Sequence, residues 1–347
     1  VNGPTRQTLA RTGLALAAAL AVTLGVLLLA GAPPLETLAV MVRGSLGSGP
    51  ALRGTLSSLT PLLLCGAGLC LTFAANLWNI GVEGQITLGA ICGLGLLRVW
   101  ESAGNLPPAP GLVLSLAAAG LGGAAWALVA GVLRTHGRVH EIFSGLGLNF
   151  VALGLGLWLI LGPWKRPGMA SLSGTEPLPE ALHLPTLGGS PMSLVGLMLA
   201  VAAYGLVCWI LRRTFFGLAL AAVRQNPQAA ERLGLAPRRR LLAAMALGGA
   251  LAGLTGGLLV TGLYHRLIPS ISGTFGYTAI LAVLMASQNL WAVPLACLFF
   301  AALIVGSIQL PLALSLDSSL SGVIQGVLVL TLLAARRPWP GRGRGQP

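Results

Sequence analysis

The sequence predicts an all-α polytopic membrane protein of about ten transmembrane helices, and three observations carry that expectation. Of 347 residues, 55% are hydrophobic and only 8% are charged, against roughly a quarter charged in soluble domains. The apolar residues fall in runs close to the ~20 that a bilayer-spanning helix requires. The remaining charge is nearly all arginine, because Lys165 is the only lysine, and it gathers in the short gaps between those runs. A net charge of +13 placed this way reads as orientation by positive charge on the inner side, with no nucleic-acid partner. Forty-nine glycines and few aromatics suit helices that approach one another closely in lipid.

Taken in order, the runs place spans at about 13–32, 58–76, 81–98, 111–133, 142–162, 192–211, 241–262, 274–287, 292–312 and 319–335. They form a single transmembrane domain over 1–347, with candidate halves 13–162 and 192–335. The first run follows Arg6 and Arg11 and ends in Ala30-Gly31-Ala32, a pattern shared with signal-peptide cleavage sites. It is long for that role and precedes many further spans, so it reads as a membrane helix. The run at 274–287 is short enough to be half a helix. Three connections are long: 33–57 and 163–191 on the outside, and 212–240 on the inside. With the N-terminus inside, fifteen basic residues fall on the inner side and six on the outer, which places both termini in the cytoplasm. The five cysteines, Cys65, Cys70, Cys92, Cys208 and Cys297, lie in apolar segments without metal-site spacing and read as small buried hydrophobes.

Glu83 is the most informative residue. It sits in Asn79-Ile80-Gly81-Val82-Glu83-Gly84-Gln85 between two apolar runs, where an acidic side chain costs roughly 2.5–3.5 kcal/mol on insertion scales. Gly81 and Gly84 release backbone groups, and Asn76, Asn79, Glu83 and Gln85 offer hydrogen bonds that lipid cannot satisfy. The segment therefore either lines or hinges a solute path, or pins two helices together, and the two roles are compatible. A second interruption, Ile268 to Tyr277, follows the run 241–262 and makes Tyr277 and Thr278 candidates for a matching face. In the ten-span topology the two interruptions lie on opposite sides of the membrane. Paired interruptions mark inverted repeats around a midplane pathway, although the ordinary frequency of Gly and Pro in membrane helices accounts for them equally well. Asn149 and Gln309, inside apolar runs, either bond across helices or line the path.

Residues 222–235 form the second constellation. Asn226 can cap a helix whose first residue is Pro227, and Gly234 can end it. The helix would carry Ala229, Ala230 and Leu233 on one side and display Arg224, Glu231 and Arg232 around it. Two turns are marginal alone in water, so the segment is either a docking helix for a cytoplasmic partner or an amphipathic connector on the lipid surface. Gly249, Gly253 and Gly257 have the GxxxG spacing of close helix packing. His136, His140 and Glu141 lack the HExxH pattern, since position 144 is Ser, and read as a turn. Asp317 before Ser318 and Ser319 reads as an N-cap. No Gly-Lys-Ser/Thr phosphate loop is present, and no acid pair or Ser/His/Asp arrangement is recognisable.

Three motifs carry a resemblance. Asn79 to Ala90 looks like the "NIGxEGQ…LGA" signature of ABC-transporter permeases of the branched-chain amino acid, ribose and nucleoside class. Arg138-Val139-His140-Glu141-Ile142 with Leu148-Asn149-Phe150 resembles the "xVHEVI…LNF" segment of that class, and Arg224 to Gly234 its "GxNPxAAxxAGI" loop. The three occur in the family's order over nearly the whole chain, closest to the nucleoside and simple-sugar branch. At Glu231-Arg232-Leu233 the chain departs from the Arg-Tyr-Ala that the family often has.

The resemblance implies an importer subunit of the bacterial cytoplasmic membrane that moves a nucleoside or simple sugar by alternating access. It would pair with a second permease, with cytoplasmic ATPase subunits that carry the ATP and Mg, and with an extracytoplasmic solute-binding protein. No cofactor would be bound by this chain itself. Arg224, Asn226, Pro227, Ala230, Glu231, Arg232 and Gly234 would couple it to the ATPase. One rival reading is an ion-coupled secondary transporter with Glu83 as the titrating group. The other, an intramembrane enzyme or scaffold, needs a catalytic pair that the spans do not offer.

Overall fold

A computed structural model describes residues 21–336 apart from 23, 26, 30, 105, 169–172, 188–191 and 316–319. The expected first span, 13–32, lies largely outside the described residues, as does the Asp317 cap. Every regular element described is helical, as expected. The helices are α1 (Pro34–Leu46), α2 (Gly49–Ala74), α3 (Val82–Ser102), α4 (Pro108–Thr135), α5 (Glu141–Leu161), α6 (Leu194–Arg213), α7 (Phe215–Gln225), α8 (Pro227–Arg232), α9 (Pro237–Leu258), α10 (Phe275–Met285), α11 (Val293–Ser307), α12 (Leu310–Leu314) and α13 (Leu320–Arg336). Among the described residues six helices are long and apolar enough to cross a membrane: α2 to α6, and α9 with its continuation to Tyr264. The chain divides into two compact units, Leu56–Leu298 and the terminal segments on either side of it.

The central unit is built on α3, α4 and α9, which make the most extensive contacts. Their glycines explain the closeness. A Cβ added at Gly253 would run into the Ala119 carbonyl and the Gly123 backbone, and one at Gly123 into the Gly249 carbonyl. One at Gly257 would lie 2.7 Å from the Ala119 Cβ, so the predicted stripe is a packing face. In lipid, where no hydrophobic drive acts between helices, such close approach supplies the dispersion that holds them. Beside this trio, Ala127, Ala130, Leu220, Ala244 and Met245 form an apolar cluster that seats α7 on α4 and α9.

Local chemistry closes the α4–α5 hairpin. His140 caps α5 by accepting the Ile142 N–H at 3.4 Å, and Glu141 pairs with the Arg134 Nε at 2.8 Å. The His-Glu motif is therefore a turn, as its sequence implied. Past Leu258 the α9 helix widens into a π-helical turn, Leu259–Tyr264. The 173–187 segment lies along this turn and its continuation. Thr175, Leu178 and Leu184 N–H groups donate to the carbonyls of Leu267, His265 and Thr261 at 2.9, 2.7 and 2.9 Å. The His183 and His265 rings stack with centroids 3.7 Å apart. Burial, with the neighbouring His183, holds the His265 imidazole below its usual range.

In the terminal unit α1 packs on α12 and α13 through Met41, Leu310 and Ile324. Here the expectation of a connection over 33–57 is corrected: α1 and the start of α2 occupy it. Pro34 at the first position starts α1, and Thr37, Met41 and Ser45, four apart, form its buried face. Two of those three are polar, so a count of apolar runs passes over the helix. The run 292–312 is likewise two helices, broken after Ser307.

Two predictions follow from this packing. Gly253→Ala should destabilise the purified protein by about 1–3 kcal/mol through overpacking. Gly205→Ala, where an added Cβ meets nothing within 4 Å, should be neutral in the same thermal melt. Because the folded His265 has a depressed pKa, the unfolded state binds more protons below the usual value of 6.5. Docking of 173–187 is thus fully stable above that pH and weakens as pH falls through the folded pKa. Amide exchange of 175–184 against pH should show that step, and His265→Gln should flatten it.

Candidate functional site

The site forms where helices start and stop inside the central unit. The α2 helix ends through a left-handed turn at Asn76 (φ +57), whose N–H reaches the Phe73 carbonyl at 3.0 Å, while Leu77 N–H reaches the Thr72 carbonyl at 2.9 Å. This is the Schellman geometry, and Asn is among the few non-glycine residues that enter that region readily. Asn76 thus acts through its backbone as a helix stop and is exposed. After it, the buried Asn79 and Gln85 side chains exchange two hydrogen bonds of 2.9 and 2.7 Å, which fold the 79–85 segment back on itself.

Gly81 precedes α3 and gives it no side-chain cap. The cap comes from α5: Asn149 Oδ1 accepts the Gly84 N–H at 2.8 Å, while its Nδ2 donates to the Ile80 carbonyl at 2.9 Å and to Tyr277 Oη at 3.1 Å. Gly84 must be glycine for this, because a Cβ there would lie 2.9 Å from Asn149 Oδ1. Gly81 faces Gly145 of α5, where an added Cβ would lie 2.7 Å from the Gly81 nitrogen.

The second interruption repeats the arrangement. Thr274 precedes α10 at φ +62 and offers no side-chain cap. Glu83, 7% exposed in the first turn of α3, supplies it by accepting the Tyr277 N–H at 2.8 Å. Gly276 allows this approach, since a Cβ there would lie 2.9 Å from Glu83 Oε1. The carboxylate therefore stands at the N-termini of two helices, where their partial positive charge favours it. Thr278 is buried one residue further on, and Tyr277 is 39% exposed.

These contacts correct one expectation. The two interruptions, which charge counting places on opposite sides of the membrane, meet inside the bundle, where Glu83 and Tyr277 touch. Asn149 is eight residues past the start of α5, and Tyr277 eight residues before the end of α10. At 1.5 Å per residue each lies about 12 Å from that end of its helix. Charge counting assigned whole spans to faces, whereas α10 has 11 residues and begins within the bundle. Gln309 belongs to the terminal unit, where its Cβ and Cγ lie against Gly44.

The α7–α8 elbow matches its sequence reading closely. Asn226 Oδ1 caps α8 by accepting the Ala229 N–H at 3.0 Å, and Pro227 is its first residue. Gly234 ends it at φ +81, with Gly234 N–H to Glu231 O at 3.0 Å and Leu235 N–H to Ala230 O at 3.1 Å. Two details differ. Of the expected apolar side only Ala230 is buried; Ala229 is exposed and Leu233 is 80% exposed, beside the exposed Glu231 and Arg232. Arg224, itself exposed, reaches back to the unit, its Nη1 donating to Gln288 Oε1 at 3.1 Å and to the Phe73 carbonyl at 3.4 Å. Gln288 was missed by the sequence reading, although Ser287-Gln288-Asn289 interrupts an apolar stretch as Asn79–Gln85 does.

Residues 51–333 match the family described as branched-chain amino acid transport system / permease component. The chain is 32% identical over 329 residues to the glucose ABC transporter permease protein TsgB13 of Haloferax volcanii, covering 92% of this chain and 85% of that protein. It is 25% identical to the guanosine ABC transporter permease protein NupP of Bacillus subtilis, covering 80% and 79% of the two chains. It is also 26% identical to the guanosine ABC transporter permease protein NupQ of the same organism, covering 71% and 78%.

The trans caps generate a prediction. Glu83→Ala should leave the Tyr277 N–H unsatisfied and cost about 1–3 kcal/mol, read as faster amide exchange at 275–278. Glu83→Gln retains an acceptor oxygen and should recover most of that protection.

Proposed function

Because the chain belongs to the branched-chain amino acid transport system permease family, we propose that it is the membrane subunit of an ATP-binding-cassette importer for a nucleoside or simple sugar. The observation that carries this reading is one compact unit holding both a buried polar break in an apolar bundle and a capped, solvent-facing elbow. The break supplies hydrogen-bonding groups where lipid-facing helices have none. The elbow gives a motor on another chain something to hold. Guanosine and glucose in the names of the relatives support the solute class.

In this reading the solute passes beside Asn76, Asn79, Gly81, Glu83, Gly84, Gln85, Asn149, Tyr277 and Thr278, with no chemistry done on it. The ATPase subunits bind ATP and Mg, and their closure displaces α8 through Asn226–Gly234. The exposed Leu233 is the natural apolar anchor for their groove. Similarity to both NupP and NupQ of one organism supports a second, non-identical permease beside this one. The outer segment 163–191 receives the solute-binding protein. The chain sits in the cytoplasmic membrane with about ten spans and both termini inside, as its arginine distribution favours, and α3 and α10 are the broken members of an inverted repeat. No observation favours the ion-coupled alternative, and the relatives are named as ABC transporter permeases.

Co-purification with the ATPase of the same operon, followed by reconstitution in vesicles, tests the reading. Uptake should require ATP and the ATPase and survive collapse of ion gradients. Concentrative uptake by this chain alone would overturn it.

A further inference from the structure

The half-helix α10, at 11 residues, is too short to be stable in isolation. Side chains from other elements engage both of its ends. At the start, Glu83 accepts the Tyr277 N–H at 2.8 Å. At the finish the chain turns through Ser287 (φ +51) and Gln288 (φ +58), and Arg224 Nη1 donates to Gln288 Oε1 at 3.1 Å. The same Nη1 is 3.4 Å from the Phe73 carbonyl, in the last turn of the helix that leads into the Asn76–Gly84 break. Arg224 itself stands two residues before the Asn226 cap. A guanidinium suits the place, because helix C-terminal carbonyls carry partial negative charge and its rigid fork presents several donors. One arginine thus joins the elbow to the lower ends of α2 and α10, and α10 runs from there to the polar cluster as a rod about 16 Å long.

We propose that α10 is the strut that carries displacement of the elbow to the polar cluster, with Arg224–Gln288 as its lower joint and Glu83–Tyr277 as its upper joint. This rests on the importer reading and gives Arg224 a positioning role distinct from docking. When α8 is pushed, the last turn of α7 follows, because Gln225 ends α7 directly before the Asn226 cap of α8 and Arg224 lies in that turn. The guanidinium, braced on the Phe73 carbonyl, then shifts Gln288. Helix α10 moves as a body, and the contact of Asn149 with Tyr277 is remade at its far end.

The test uses the transporter assembled with its ATPase. Amide exchange at 76–84 and 272–278 is compared with ADP and with a non-hydrolysable ATP analogue bound. The wild type should show a nucleotide-dependent change there. Arg224→Ala should abolish that change and lower uptake about tenfold while the complex stays assembled and hydrolyses ATP. Arg224→Lys should restore part of both. Gln288→Ala should reproduce the defect, and the double variant should be no worse than either single one, as two sides of one joint require. Retention of the nucleotide response in Arg224→Ala, or in Gln288→Ala where the arginine variant does not assemble, overturns the strut. So do loss of ATPase binding in a stably folded Arg224→Ala, which makes the residue a docking contact, and additive effects in the double variant. A wild type without any nucleotide response overturns the importer reading, and the strut with it.

Discussion

A helix that begins inside an apolar bundle leaves its first N–H groups without water to receive them, and this constraint organises the central unit. Neither Gly81 nor Thr274 can cap the helix it precedes. Each cap therefore comes from elsewhere in the fold: Asn149 of α5 for α3, and Glu83 of α3 for α10. The result is a chain of dependence in which α5 fixes the start of α3, and α3 fixes the start of α10. It also explains how an acidic residue persists in such surroundings. Glu83 faces the positive ends of two helices and accepts a backbone N–H, so its buried carboxyl group keeps a polar partner.

The polar residues of the break are thereby committed in large part to one another. Asn79 and Gln85 satisfy each other, and Asn149 uses both ends of its amide. Tyr277 and Asn76 are the more exposed members of the break, and on the importer reading proposed above they are the candidates to meet a passing solute.

Sequence reading did well where the determinants are local. Asn226, Pro227 and Gly234 lie within nine residues of one another, and each acts on its own turn of backbone, so their geometry follows from residue type and spacing. The GxxxG stripe in α9 was legible for the same reason. The partner of Glu83 was not, because it is a backbone N–H 194 positions away and any uncapped helix start would have served. Nor were the contacts of Arg224 with Gln288 and the Phe73 carbonyl, since they join positions 64 and 151 residues apart and the side chain stays exposed. The buried face of α1 was hidden by its polar composition, Thr37 and Ser45 among them. Two partially apolar segments placed on opposite faces by charge counting proved to meet, because a half-helix has no obligation to reach either face.

The contact of α3, α4 and α9 through Gly89, Gly123 and Gly253 is main chain against main chain. Such a contact has no rotamers to exchange and no neighbouring groove into which it can slip, so the three helices form a stator. Whatever stroke this protein makes is confined to the parts that meet the stator through side chains, and the glycines decide what stands still.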